Sequence, residues 1–237
     1  TQFLRSLSIN LVGIFVPVYL YNIGYSITAI AAFYLVWFSA RPLLSYPTAR
    51  LIAEIGPKHA MVFSVAIQIA YLSFIISIES MGWPLWIIAI IGSFYYGLYR
   101  MAFDVDFSKV KHSEHGGKEV GILQIFERVG GVLGPIIGGL IAGFFDPRYT
   151  IALAIVVLAS SLIPLLATAE PVKRHQLLVV KGFSLKRYAH NIAISGAYQI
   201  QEVASIIIWP LFLGAFILLD NTYQTLGILA SLSTVLA

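Results

Sequence analysis

The chain has 237 residues, 59% of them hydrophobic and only 11% charged, with a mean hydropathy of +0.86 and a net charge of +4. A soluble globular chain carries about a quarter charged residues, so a soluble fold is excluded and the membrane span, roughly 20 apolar residues or about 30 Å of helix, becomes the unit of organisation. Cysteine is absent, which excludes disulfides, thiolate chemistry and Cys-ligated metals.

Read in chain order, the sequence predicts an all-α polytopic membrane protein of seven full spans and the start of an eighth. Span 1 runs from Phe3 to Tyr21 with Pro17 bending its far end, and Asn22-Ile23-Gly24 is a turn signal. Span 2 runs from Ile27 to Ile55 and carries Arg41, Pro42 and Pro47, so it is expected to tilt or kink. Gly56-Pro57-Lys58-His59 closes it. Span 3 covers Ala60 to Ile78. Span 4 runs from Leu85 to Phe107, with Arg100, Asp104 and Asp106 in its last third. A polar loop, Ser108 to Gly117, precedes span 5, Lys118 to Phe145, which holds Glu127 and Arg128. Span 6 runs from Tyr149 to Ala169. The longest linker, Glu170 to Arg187, contains five Lys or Arg residues. Span 7 runs from Ala189 to Leu219 with Gln199, Gln201 and Glu202 inside it, and an apolar run begins again at Gln224. The expected organisation is a six-helix bundle over 1–170, a basic cytoplasmic linker over 171–188, and over 189–237 the start of a second bundle. Thr1 at the beginning and an apolar run without a stop signal at the end suggest a piece of a longer protein. No cleavable signal peptide is evident.

Charge sets the orientation. With the N-terminus in the cytoplasm, eleven Lys and Arg residues fall inside (Arg5, Arg50, Lys58, Lys109, Lys111, Lys118 and the five of the linker) and only Arg148 outside. That is a positive-inside bias, and it explains the net charge without nucleic acid. Tyr21, Tyr25, Trp83, Trp86 and Tyr149 fall at the outer ends, as an aromatic belt does.

The charges within the spans are the residues to explain. Arg41 lies halfway along span 2, about 20 Å from the nearer interface. A bare guanidinium there costs at least a few kcal/mol, so it must face a cavity, a partner or a snorkelling path; substrate gripping, gating and a structural ion pair are all open. Glu127 and Arg128 lie about 15 Å into span 5. Adjacent residues point about 100° apart, so at most one is expected to face a lumen squarely. Glu127 is either a carboxylate that takes and releases a proton or the partner of a buried Arg. Arg100 and Asp104 share a face at i,i+4 and read as a clasp or a gate. Glu202, with Gln199 one turn before it, lines a cavity from the second bundle or packs helices. Asn10, Gln68 and Gln124 read as interhelical hydrogen bonds of roughly 1 kcal/mol, with Asn10 and Gln124 also as cavity lining. His112, Glu114 and His115 form a weak metal-like cluster in a solvated loop, and neither a metal nor a cofactor is expected.

The sharpest local pattern is the run from Gly130 to Gly139. Gly130, Gly134 and Gly138 make a smooth stripe that admits another helix closely, and Pro135 bends the helix. Such a helix makes a pivot for a rocking bundle and a poor wall for an open pore.

These features together resemble the major facilitator superfamily. The opening Arg5, Asn10, Phe15-Val16-Pro17-Val18-Tyr19-Leu20 and Gly24 is similar to the family's first helix. The run from Gly130 through Gly134-Pro135 to Gly138-Gly139 matches the motif Gly-x-x-x-Gly-Pro-x-x-Gly-Gly in full, a motif associated with the antiporter branch. The signature between helices 2 and 3 departs from the family: only Gly56 and Lys58 hold their places, Ala53 stands where Asp belongs, and Glu54 follows one position late. The antiporters' Arg-x-x-Gly in span 4 is not kept either, Arg100 being followed by Phe103. The resemblance implies alternating access: two bundles rock around a central site that binds a small solute, with proton-coupled efflux as one form and a monomer in the lipid bilayer as the working unit. Its polar candidates are Arg41, Glu127, Arg128 and Glu202. No covalent chemistry is implied. No Gly-rich nucleotide loop appears in the sequence, so the energy would come from a gradient. A non-transporting sensor or scaffold of the same fold is the alternative, and a channel, which needs a ring of polar groups at a constriction, is the next.

Overall fold

The computed structural model describes residues 1–110, 116–167, 185–218 and 222–236. The candidate metal-like loop residues His112, Glu114 and His115 and most of the basic linker lie outside the described residues. Every element among the described residues is helical: α1 Gln2–Val12, α2 Val16–Asn22, α3 Ile27–Ile55, α4 Pro57–Met81, α5 Leu85–Val110, α6 Gly116–Phe144, α7 Pro147–Ser160, α8 Leu162–Leu166, α9 Leu185–Val203, α10 Trp209–Phe212 and α11 Thr222–Leu236. Seven helical stretches among them are long and apolar enough to cross a membrane.

Prolines account for most departures from the expected spans. Span 1 bends before Pro17 as a continuous stretch, Gln2–Asn22: Pro17 cannot donate to the carbonyl of Gly13, the amide of Phe15 turns back to Val12 O at 2.9 Å, and regular helix resumes as α2. Span 6 divides into α7 and α8 at Ser161 for the same reason, since Pro164 leaves Ser160 without its donor. Span 7 is also not one regular helix. Wide π turns, Ala204–Ile208 and Leu213–Ile217, flank α10, which holds Pro210, and π turns are a common response to a helix that has lost a donor. Span 2, by contrast, remains a single helix through Pro42 and Pro47. Span 3 is longer than expected at both ends: Gly56 at φ 88° turns the chain, and Pro57 begins α4, where its missing N–H costs nothing. Caps mark other starts. Ser26 Oγ accepts from Ala29 N at 3.2 Å, and Asp146 accepts from Arg148 N at 2.7 Å.

A single apolar cluster draws on most of the first six spans, with Phe33 and Ile30 of α3, Ile75 of α4, Leu98 of α5 and Leu158 of α7 all buried in it. Helix α5 lies between α3 and α4, while α6 lies between α1 and α11. Polar side chains staple these contacts. Ser8 Oγ donates to Ala154 O at 2.8 Å, and Ser231 Oγ to Val132 O at 2.7 Å.

Candidate functional site

A cavity of about 810 Å³ runs between α1, α3, α4, α5, α6, α9 and α11. Its wall on α1 begins at Gln2 and ends near Gly13, with Val16 the last contribution of that span. It therefore occupies the half of the bundle at the N-terminal end of α1. Residues Gln2, Arg5, Ser6, Ile9 and Gly13 recur at helical spacing, so α1 turns one continuous stripe to the cavity.

Toward the other end of span 1 the lining gives way to apolar packing. Phe15, Val18 and Leu226 form a buried apolar plug with Leu213, Leu218 and Tyr223 around it. Gly214 lets the chain after α10 sit against Val18, since a β-carbon there would come within 2.8 Å of Val18 Cγ2. Asn22 Nδ2 donates to the Tyr223 hydroxyl at 2.9 Å, and Phe15 meets the Tyr223 ring edge-on at 5.8 Å. At the same end Arg148 is ion-paired with Glu79, joining the start of α7 to the end of α4.

Arg41 projects from α3 into the cavity. Its Nη1 donates to Gln199 Oε1 of α9 at 2.9 Å, and its guanidinium carbon lies 4.1 Å from the centre of the Tyr96 ring and 4.7 Å from that of Phe38. Rings and an amide, not a carboxylate, compensate it; each such cation–π contact contributes about 0.5–2 kcal/mol. Glu202 lines the cavity one turn beyond Gln199, with Oε2 buried and without a hydrogen-bond partner. Both Glu127 and Arg128 line the cavity, neither of them at the centre of the face. Gln124, Glu127, Arg128 and Gly131 follow the i, i+3, i+4, i+7 pattern, so the two neighbours flank the centre line of one broad face. Ser6 Oγ fixes that face by donating to Glu127 O at 2.7 Å. Asn10 and Gln68 also line the cavity, and Asn10 Nδ2 is turned back to Ser6 O at 2.8 Å on its own helix. Arg100 reaches the cavity and pairs with Asp104 at 3.5 Å on the shared face. Glu54 does not enter the site: it pairs with Arg50 at 3.0 Å on the surface of α3.

The glycine run of α6 serves two neighbours. Gly130, Gly134 and Gly138 face α1, where a β-carbon at Gly134 would fall 2.6 Å from Asn10 Cβ. Pro135 and Gly139 face α11, where Pro135 O abuts Gly227 and Gly139 abuts the backbone of Tyr223. Gly131 and Gly143 continue that second stripe against Thr234 and Gln224.

Two parts of the site differ from what the sequence predicts. Arg5 counts among the end charges by sequence, yet its guanidinium carbon lies 3.5 Å from the centre of the Tyr99 ring and its side chain lines the cavity. The helical stripe of polar residues on α1 carried that signal. The aromatic wall of Trp37, Tyr71 and Tyr95 left no signal, because rings on three separate helices have no common spacing.

The sequence matches the family description "Major Facilitator Superfamily" over residues 1–236. The chain belongs to that superfamily. A comparison with curated proteins gives no match. Superfamily members are membrane transporters, so the cavity between the helices of this superfamily protein is the place to look for its solute.

Proposed function

We propose that the protein is a secondary active transporter that moves a small solute by alternating access. In this reading residues 1–170 act as one bundle, 189–237 belong to a second, and the basic segment 171–188 joins them. The observation that carries the reading is the charged cavity: about 810 Å³ of space lined along the N-terminal half of span 1 and by Arg41, Glu127, Arg128 and Glu202, beyond which Phe15, Val18 and Leu226 form an apolar plug. A continuous pore would not have that plug, and a merely structural bundle would not leave charged side chains around a void. With the N-terminus in the cytoplasm of a plasma or inner membrane, as the distribution of Lys and Arg supports, the conformation is inward-facing.

Proton-coupled efflux is the finer form of the proposal. Glu202 and Glu127 are the carboxylates available to carry the proton, and Glu202 is the better placed because it shares the α9 face with the Gln199 that holds Arg41. Flux through reconstituted protein in proteoliposomes, measured against a panel of solutes with and without a pH gradient, tests both levels. Saturable flux of at least one solute is expected. Saturable flux indifferent to the pH gradient removes proton coupling alone, conductance without saturation would make it a channel, and no flux for any solute leaves a sensor or scaffold of this fold.

A further inference from the structure

We propose that the solute is an organic anion with a planar aromatic body, an inference that rests on the transporter reading and names the chemistry its cavity prefers. Three cavity guanidiniums, those of Arg5, Arg41 and Arg128, have no carboxylate partner among the described residues; the ion pairs there are Arg50–Glu54, Arg100–Asp104 and those of Arg148 with Glu79 and Asp146. Against them stand two carboxylates, Glu127 and Glu202, so the cavity is net positive even with both ionised. Arg5 and Arg41 are compensated through their faces, which lie over Tyr99 and over Tyr96 and Phe38. A ring against the face leaves the N–H edge unspent. In both residues Nε is buried without a hydrogen-bond partner, as is Oε2 of Glu202, so an anionic ligand would meet the outer Nη groups of the guanidiniums, where charge-assisted hydrogen bonds to its oxygens form.

The rest of the wall selects the body of the solute. Trp37, Tyr71 and Tyr95 pack on one another at ring separations of 5.3 to 5.9 Å, and the absence of a side chain at Gly92 gives Trp37 its place. Such rings offer edge-to-face or offset contacts to another ring. A cationic solute would have to pass three guanidiniums that have no carboxylate partner among the described residues, and an uncharged one would leave the net positive charge of the wall uncompensated.

The test uses two probes of like shape and opposite charge, 2-naphthoate and 2-naphthylmethylammonium, titrated calorimetrically against the full chain. The protein is held in nanodiscs of phosphatidylcholine alone, so that no anionic lipid headgroup competes. Naphthoate is expected to bind at least about tenfold more tightly than the ammonium. Arg5→Gln and Arg41→Gln are each expected to weaken naphthoate about tenfold to a hundredfold and to leave the ammonium unchanged or tighter, with Arg41→Lys recovering part of the loss. Unfolded variants are recognised by loss of the monodisperse peak in detergent, and Arg41→Lys then carries the comparison. Equal or tighter binding of the ammonium overturns the proposal, as does naphthoate binding that ignores both substitutions. Counterflow in proteoliposomes separates the two readings. Saturable transport of the ammonium but not of naphthoate keeps the transporter and discards the anion. Arg-dependent naphthoate binding without counterflow keeps the site and discards transport. Absence of both discards both.

Discussion

Arg41 is held by contacts that a moving solute could replace. Its donor goes to Gln199 at 2.9 Å, a neutral amide, and a hydrogen bond to a charged group contributes about 1.5–3 kcal/mol. Replacing Arg41 with Ala is expected to abolish uptake while the protein still reaches the membrane, which substrate uptake and quantitative membrane blots measure together; unchanged uptake kinetics would remove Arg41 from the site. The two carboxylates can be parted in the same way. Glu202→Gln is expected to flatten the dependence of flux on the pH gradient, whereas Glu127→Gln, on an exposed part of the wall, is expected to keep it; the reverse pattern would make Glu127 the coupling group. Arg41, Glu202 and Gln199 were legible in the sequence because charge and amide are conspicuous in an apolar span, and the cost of burying them says that they must have a destination. Arg5 was not, because an arginine four residues from the start of the chain satisfies the positive-inside rule without any cavity. The polar stripe on α1 was the signal against that reading, and the structure shows the side chain turned inward over Tyr99 of α5.

Helix α6 owes its place to what it lacks. Its neighbours α1 and α11 both approach to backbone contact, α1 along Gly130, Gly134 and Gly138, and α11 along Pro135 and Gly139. At Gly138 the obstruction to a β-carbon is the Leu11 carbonyl, which cannot rotate aside as a side chain could. Gly138→Ala is therefore expected to cost about 1–3 kcal/mol through overpacking and to lower the melting temperature in detergent. Gly97→Ala in α5, where nothing lies within 4 Å, is the matched control and is expected to be neutral or slightly stabilising. Equal melting temperatures for the two variants would mean that α1 and α6 are not pressed together as described. One stripe of four-residue spacing was plain in the sequence. The second was hidden inside the same motif, because adjacent glycines read as a single flexible run until two partners are seen to use alternate members. Helix breaks were legible as prolines but not in degree: the regular helix is interrupted before Pro17 and runs on through Pro42 and Pro47.

At the scale of the molecule, the helix order implies that Ser80, at the end of α4, and Ser108, near the end of α5, lie on opposite faces of the membrane. Because the chain contains no native cysteine, Ser80→Cys and Ser108→Cys each give a unique label site. An impermeant maleimide is expected to reach Ser80→Cys only from outside the cell and Ser108→Cys only from inside; reaction of both from one side would overturn the proposed topology. The apolar end permits a sharper test. Its seal joins span 1 to the segments after α9 through the Asn22–Tyr223 hydrogen bond and the apolar contacts around Val18 and Leu226, none of which was legible in the sequence, since these are ordinary apolar residues far apart along the chain. Alternating access requires these groups to separate in every cycle, while the cavity wall at Ser233 and Thr234 closes. A reducible bifunctional thiol reagent joining Asn22→Cys to Tyr223→Cys would hold the seal shut. Flux is then expected to fall at least about tenfold and to return on reduction, because the locked state keeps the solute from passing the seal. Full flux through cross-linked protein would mean that the solute never crosses between Asn22 and Tyr223, and the plug would then be structure rather than gate.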